Sequence, residues 1–302
     1  MSQTNSPSSG RLYGIQRVCR VWNRARSSVY EQRKRSNCPP ELRPVAGKRG
    51  PEGPCSDEQM VGHIRTVLAE SPFHGEGYRK VWARLRLKGI RSSKDRVRRL
   101  MREHGLQASQ RAGHPHGPRA HDGTIIPDKP DVMWGTDLTG TMTARDGHAA
   151  VFVAVDHYSG ECVGIHASDR ATRFEALEPV RQAVRDNFGA FGQDVAKGLS
   201  LRHDHGSQYV SDHFQDEIKF LGIAPSPAFV REPEGNGCSE RFIRTLKENL
   251  LWVRTFQTVE ELRQALLEFK ETYNHQWIIE RLGYRTPAQA RKDACVATEI
   301  AA

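Results

Sequence analysis

The sequence lacks the cysteine spacing that marks a cross-linked or zinc-binding protein. It has six cysteines, and no two of them form a CxxC pair. This spacing argues against a disulfide framework and against a zinc site built from two cysteines and two histidines. We therefore expect reduced thiols, as in a cytosol.

Long hydrophobic runs are also missing from the sequence. No stretch approaches the ~20 apolar residues that a membrane-spanning helix requires. The N-terminus does not show the pattern of a signal peptide. We expect a soluble, cytoplasmic protein without a membrane partner.

Acidic residues are scarce in the first part of the chain. Residues 1–120 hold 25 Lys and Arg against 9 Asp and Glu, a net charge of +16, whereas residues 121–302 hold 20 against 27, a net charge of −7. A basic half is typical of a surface that contacts nucleic-acid phosphates, although it could also be an ordinary solvated surface. The acidic half can carry a metal site. At 302 residues the chain is long enough for two domains.

Helical patterns predict two small modules in the basic half. In residues 1–55 we expect a flexible N-terminus with a partial helix-turn-helix and a linker rich in proline and glycine. Residues 56–108 contain three apolar stripes at helical spacing and predict a helix-turn-helix domain that binds DNA. In its third helix, Lys94, Arg98 and Arg102 recur at intervals of four and share one face. Such a face suits the DNA groove; a solvated helix face is the alternative.

A region of alternating strands and helices, 131–290, follows a polar linker, 109–130, and precedes a short tail, 291–302. Three strands are expected at its start, over 132–139, 149–155 and 161–168. A helix, a short strand, a second helix and a fifth strand come next. This order predicts an α/β fold with a ribonuclease-H-like mixed five-stranded sheet flanked by helices.

Three carboxylates in this region each lie in a distinctive local motif. Asp137 follows Trp-Gly-Thr, Asp204 lies in His-Asp-His-Gly, and Glu240 follows Asn-Gly-Cys-Ser. Separated acids of this kind can surround hard divalent cations such as Mg²⁺ or Mn²⁺, which prefer oxygen ligands. Two such ions can activate a nucleophile and stabilise the leaving oxygen of a phosphodiester. We predict that all three acids are catalytic metal ligands, although Asp204 could cap a turn and Glu240 could favour a helix N-terminus.

Several neighbouring residues have alternative interpretations. Asp156 and Asp169 are expected to lie in a turn and a loop, outside the site. The histidines on either side of the second carboxylate, His203 and His205, could orient a carboxylate or a phosphate. Asn236 could hydrogen-bond near the metal or only fit its turn.

These motifs, their order and the spacing between Asp204 and Glu240 resemble the DDE core of retroviral integrases and of bacterial insertion-sequence transposases of the IS-three type. The resemblance extends to Thr-Leu-Lys at 245–247, to the segment 273–288 and to the helix-turn-helix at 77–101, and it covers residues 60–290. It implies a transposase that binds the ends of a mobile element. Its expected activity is metal-dependent DNA strand cleavage and strand transfer, with water or a DNA 3′-hydroxyl as nucleophile.

The resemblance also implies partners and further contacts. They are double-stranded DNA of the element ends and of the target, a homo-oligomer assembled on DNA, and the product of an upstream reading frame, in a bacterial cytoplasm at the nucleoid. On the helix of Glu240, Arg244 and Lys247 share the face of the glutamate and could hold DNA phosphates. An ordinary helical Glu–Arg pair is the alternative.

Two rival functions are compatible with parts of the sequence. One is a catalytically silent DNA-binding regulator of transposition, and the other is a structure-specific nuclease without strand transfer. Three intact acids argue against a silent protein, because a binding module gains nothing from them. The residue-by-residue match argues against a general nuclease.

Overall fold

A computed structural model describes residues 3–39, 55–109, 125–228 and 236–301 of the chain. Most of the two predicted linkers lies outside the described residues. The Pro/Gly-punctuated loop that precedes Glu240 lies largely outside them as well.

The chain divides into two compact units, Met1–Glu52 and Gly53–Ala302. The first unit holds two helices, α1 (Ile15–Val21) and α2 (Arg26–Asn37). Both were predicted from the helical pattern of the N-terminal residues, and Cys19 of α1 is buried.

The second unit begins with the predicted three-helix module, which consists of α3 (Asp57–Glu70), α4 (Tyr78–Leu87) and α5 (Lys94–Glu103). Ser56 and Ser93 begin the first and third helices, because each side-chain oxygen accepts a backbone N–H from the first turn. The apolar stripes of the three helices meet in one small core.

Five strands form a mixed sheet in the order β3-β2-β1-β4-β5. The first three strands form an antiparallel meander, whereas β4 and β5 run parallel to β1. This arrangement confirms the predicted ribonuclease-H-like α/β fold. The strands are β1 (Met133–Thr143), β2 (Gly147–Asp156), β3 (Cys162–Ser168), β4 (Ser200–His203) and β5 (Ala224–Pro227).

Helices cover both faces of the sheet. A π-helical turn over 247–251 continues helix α9 (Gly237–Leu246). Helix α11 (Pro287–Ala301) runs across the boundary that was predicted between the region 131–290 and the tail 291–302. No helix in the described part of the chain is long and apolar enough to cross a membrane. The helices of this region are α6 (Arg173–Phe188), α7 (Ser207–Val210), α8 (Asp212–Phe220), α9 (Gly237–Leu246), α10 (Val259–Gln276) and α11 (Pro287–Ala301).

The central strand β2 explains how the two layers form. Successive side chains of a strand point to opposite faces of the sheet. Val151 and Val153 therefore join the apolar cluster of α9 and α10, while Ala150 and Phe152 join the cluster of α6 and α8. A nearly continuous apolar run is what a strand buried on both faces needs.

The helix-turn-helix packs against the sheet region. Phe73, between α3 and α4, belongs to the apolar cluster of α10, and its ring centroid lies 6.4 Å from that of Phe269 and 4.8 Å from that of Trp277. Arg84 of α4 donates to the main-chain oxygen of Gln276 at 3.1 Å. The two regions therefore share part of one core, which the local sequence patterns do not predict.

Candidate active site

The strand register brings the first two predicted acids to the same place. β1 pairs in parallel with β4, with Met133 opposite Ser200 and Gly135 opposite Arg202. Two residues further along, the same register leads to Asp137 on β1 and to Asp204, the residue directly after β4. Because paired strands lie about 4.8 Å apart, the two acids are neighbours where β4 ends beside β1.

Asp137 occupies the most enclosed position of the three. Its Oδ1 accepts the backbone N–H of Leu138 at 2.8 Å. Burial, together with the negative charges of Asp204 and Glu240, raises the pKa of the Asp137 carboxyl to about 6. The charges of Asp204 and Glu240 therefore act on the Asp137 carboxyl.

Asp204 lies in an exposed turn directly after β4. Its Oδ1 accepts the backbone N–H of Gly206 at 2.8 Å, and a Cβ on Gly206 would lie only 2.9 Å from that oxygen. The neighbouring histidines bond to the main chain: His203 donates to the oxygen of Asp204 and His205 to that of Ala228, each at 2.7 Å. The second carboxylate thus has a local hydrogen bond that fixes its turn.

Glu240 lies in the first turn of α9, which begins directly beside β1. Its side chain is exposed, yet enough protein surrounds it that desolvation raises the pKa of the carboxyl. The side-chain amide of Asn236, at the start of the helix, donates to the main-chain oxygen of Thr136 at 3.0 Å. This bond joins the glutamate helix to the residue before Asp137.

The donor set fits a hard divalent cation, because three carboxylates supply only oxygen ligands. The raised pKa of Asp137 also agrees with a site that gains from a nearby positive charge. In the ranges that the structure describes, no three His, Cys, Asp or Glu side chains are grouped closely enough to hold a metal ion. In this structure the three acids are therefore not drawn together into a metal-binding group.

Asp156 has the turn role that was predicted for it. Its carboxylate is buried, and Oδ1 accepts both the backbone N–H and the hydroxyl of Ser159 at 2.7 Å. The other oxygen accepts the N–H of Asp131 at 3.0 Å. Asp169 lies in an exposed bend after β3, as predicted.

The basic residues predicted to contact DNA differ in their surroundings. Lys94 Nζ lies 3.9 Å from a carboxylate oxygen of Glu280, while the side chains of Arg98 and Arg102 are exposed. Arg244 pairs with Glu248 at 3.0 Å, one turn further along the helix.

Lys247 lies close enough to the acids that its charge lowers the pKa of Asp137. It is therefore a predicted DNA-contact residue whose charge acts on one of the three acids.

Sequence reasoning missed two side chains beside this site, His157 and Ser239. Both are buried, and both approach Gly135 of β1. The Asp-His pair that ends β2 and the serine directly before Glu240 were the available signals. Neither has a spacing that indicates contact with a residue so distant along the chain.

Comparison with protein families agrees with this geometry. Two integrase core domain models match residues 127–233 and 221–287, and an HTH-like domain model matches residues 56–114. The chain is therefore a polynucleotidyl transferase with an integrase core and an HTH-like domain, and it binds DNA. An integrase-like core depends on a divalent metal ion.

Known transposases are similar to most of the chain. Transposase InsD for insertion element IS2A/D/F/H/I/K of Escherichia coli is 27% identical over 246 residues, which cover 79% of this chain and 80% of that protein. InsD for insertion element IS2-9 of Escherichia coli (strain K12) is also 27% identical, with 79% of each protein covered. The chain is thus similar to insertion-sequence transposases over most of its length, and with its integrase core it acts in transposition and DNA integration.

Two solved structures show a weaker likeness. The integrase catalytic core domain of HTLV-2, in complex with magnesium, is 20% identical with a TM-score of 0.41, covering 54% of this chain and 98% of that one. A chain of the simian T-cell lymphotropic virus intasome is 18% identical with a TM-score of 0.43, covering 78% and 74%. The fold assignment rests on the strand order of the chain itself.

Proposed function

We propose that this transposase binds the ends of its mobile element and cuts and joins DNA strands at a site formed by Asp137, Asp204 and Glu240. The observation that carries the proposal is the β1–β4 register, which leads to Asp137 on β1 and to Asp204 directly after β4. Each of the three carboxylates serves as a metal ligand. Together they would hold two Mg²⁺ or Mn²⁺ ions, which would supply positive charge for the phosphodiester chemistry.

The protein residues around the acids orient the DNA. Lys247, whose charge reaches Asp137, is placed to hold a phosphate next to the scissile bond. Arg244 can exchange its exposed pair with Glu248 for a phosphate, because such surface pairs contribute little to stability. Water is the nucleophile in cleavage, and a DNA 3′-hydroxyl is the nucleophile in strand transfer.

The basic face of α5 selects the element end. Arg98 and Arg102 are exposed and can enter a groove, although the Arg98 guanidinium lies over the ring of Tyr78, 5.6 Å from its centroid, and Lys94 must leave Glu280. The partners are double-stranded DNA of the element ends and of the target, further copies of this chain on that DNA, and the upstream-frame product. The site of action is the bacterial cytoplasm, at the nucleoid.

Each segment of the chain has its own role in this function. Residues 1–55 form the partial helix-turn-helix and linker, and residues 56–108 form the DNA-binding domain. After a linker at 109–130, residues 131–290 form the catalytic core, and residues 291–302 form a tail.

The test is to replace each acid by its neutral isostere in the full chain. Asp137→Asn, Asp204→Asn and Glu240→Gln should each abolish cleavage and joining of an end-containing duplex, while gel shifts show nearly normal binding. Asp169→Asn, in an exposed bend, is the matched control and should keep full activity. Near-normal cleavage by a variant would refute that residue's role, and wild-type protein that cleaves without joining would favour the nuclease.

A further inference from the structure

Three buried polar atoms from separate parts of the chain converge on Gly135 of β1. A Cβ on this glycine would lie 2.5 Å from the hydroxyl of Ser239, 2.6 Å from Oδ1 of Asn236 and 2.7 Å from Nε2 of His157. Within the described part of the chain, none of these three atoms has a hydrogen-bond partner. Leaving such a group unpaired costs about 1–3 kcal/mol, so three together in one place call for an explanation.

The hydrogen-bonding character of each atom follows from its other contacts. His157 Nδ1 donates to the main-chain oxygen of Ile125 at 2.9 Å, so the ring proton is on Nδ1 and Nε2 is an acceptor. Burial lowers the pKa of this imidazole, which keeps the ring neutral. Asn236 uses its amide nitrogen to donate to Thr136, which leaves Oδ1 as a second acceptor. The hydroxyl of Ser239 is therefore the donor in the group.

The location of these residues relates them to the third acid. Ser239 directly precedes Glu240, and Asn236 begins the same helix. Gly135 is two residues before Asp137 on β1. The distance between the start of α9 and Gly135 therefore controls the distance between Glu240 and Asp137. A side chain at position 135 would prevent the helix from approaching this closely.

We propose that Ser239 and His157 are positioning residues for Glu240, and that the Ser239 hydroxyl donates to His157 Nε2 when the three acids close around the metal ions. Both atoms lie within hydrogen-bond range of one point beside Gly135, so a small shift of the first turn of α9 pairs them. The same shift carries Glu240 towards Asp137. Asn236 holds the helix start to β1 throughout, through its bond to Thr136.

This inference rests on the proposed function, and it predicts a defect in metal affinity. Removing a residue that orients a metal ligand typically costs 10–100-fold in metal affinity or activity. Ser239→Ala should therefore raise the Mg²⁺ concentration for half-maximal cleavage by about 10-fold or more. Excess Mg²⁺ should restore most of the rate, and binding of the DNA end should be unchanged. Calorimetric titration of Mn²⁺ into the protein should show the same loss of affinity without any turnover.

Two further variants make the test specific. His157→Asn keeps a donor for Ile125 and removes the Nε2 acceptor, so it should match Ser239→Ala, and the double variant should be no worse than either single one. Thr245→Val is the control, because its hydroxyl lies on the same helix but donates to the main-chain oxygen of Arg241. This control should change the melting temperature and leave the Mn²⁺ affinity and the Mg²⁺ dependence of cleavage unchanged.

Each outcome decides one question. If the Ser239 and His157 variants leave Mn²⁺ affinity unchanged, or if their effects simply add, the proposed pair does not exist. The proposed function fails separately, if Asp137→Asn still cleaves. Loss of cleavage in Asp137→Asn together with a wild-type Mg²⁺ titration in Ser239→Ala would overturn this inference and leave the function intact.

Discussion

The fully buried carboxylate of Glu76 accepts two hydrogen bonds from the guanidinium of Arg84, at 2.7 and 2.9 Å. Arg84 also donates to the main-chain oxygen of Gln276, at the end of α10. The pair therefore stabilises the start of α4 and joins the helix-turn-helix to the catalytic core. A buried pair of this kind is costly to break, because the remaining charge loses its partner.

Replacing Glu76 with Ala should destabilise the protein strongly. We expect the free energy of unfolding to fall by about 3–5 kcal/mol, as for other buried pairs that lose one member. Urea denaturation followed by circular dichroism measures the change. Glu103→Ala, which breaks the exposed pair with Arg99, is the control and should cost less than about 1 kcal/mol. Equal effects of the two variants would show that the Glu76–Arg84 pair has no special role.

Replacing Asp137 with Asn should stabilise the metal-free protein at neutral pH. The pKa of this carboxyl rises from 3.8 to about 6 on folding, so the folded state disfavours the charged form. Below pH 3.8 the carboxyl is protonated and the wild-type protein keeps its full stability; that stability falls as the pH rises through 6. The amide of the variant does not titrate, so the variant loses no stability in this way. The advantage of the variant should be near zero at low pH and reach at most about 3 kcal/mol at pH 7.

Denaturation in excess chelator across this pH range measures that advantage. Asp169→Asn is the control, since this side chain is largely exposed and its replacement should change stability by less than about 0.5 kcal/mol. A pH-independent difference between Asp137→Asn and the wild type would contradict the raised pKa.

DNA binding should depend steeply on salt and on the basic face of α5. Several phosphate contacts imply a loss of roughly 10³ or more in affinity between about 50 and 200 mM salt. Alanine at a residue that reads a base should cost about 1–3 kcal/mol and relax sequence preference, whereas loss of a phosphate contact weakens all sequences alike. We expect Arg98 or Arg102 to show the first behaviour, because Lys94 already has Glu280 as a neighbour.

The measurement compares alanine variants at these three positions on element-end and scrambled duplexes over a salt series. Unchanged ratios between the two duplexes in all three variants would exclude α5 as the reader of sequence. The partial helix-turn-helix of α1 and α2 would then be the next candidate.

Strand cleavage should require Mg²⁺ or Mn²⁺. Ca²⁺ should support DNA binding but little chemistry, because it accepts looser and more variable coordination than Mg²⁺. Cleavage assays with each ion, and in excess chelator, decide this directly. Robust cleavage in chelator would refute the metal-dependent mechanism.

The local sequence patterns predicted the elements of the fold closely. Each predicted strand of the meander overlaps β1, β2 or β3, and the nearly continuous apolar run of β2 leaves the clearest pattern. The positions of Asp137 and Asp204 also follow from the predicted strands. In both cases the determining interactions lie within a few residues or between paired strands.

Contacts between distant segments were not predictable in the same way. Phe73 has an ordinary sequence context, and nothing local indicates that its ring packs against Trp277. The cluster around Gly135 combines residues from β1, the end of β2 and α9, which meet only after the sheet and helices have packed. Its unpaired atoms are visible only once the three-dimensional contacts are known.

The docking of the helix-turn-helix has a consequence for how the chain folds during synthesis. Arg84 and Gln276 are separated by 192 residues, so the first is translated long before its partner exists. The three-helix module can form its own small core early, because its contacts are local. Its orientation against the catalytic core, however, can be set only after the end of α10 has left the ribosome. A truncated product that stops before α10 would carry a folded three-helix module with no fixed orientation relative to the rest of the chain.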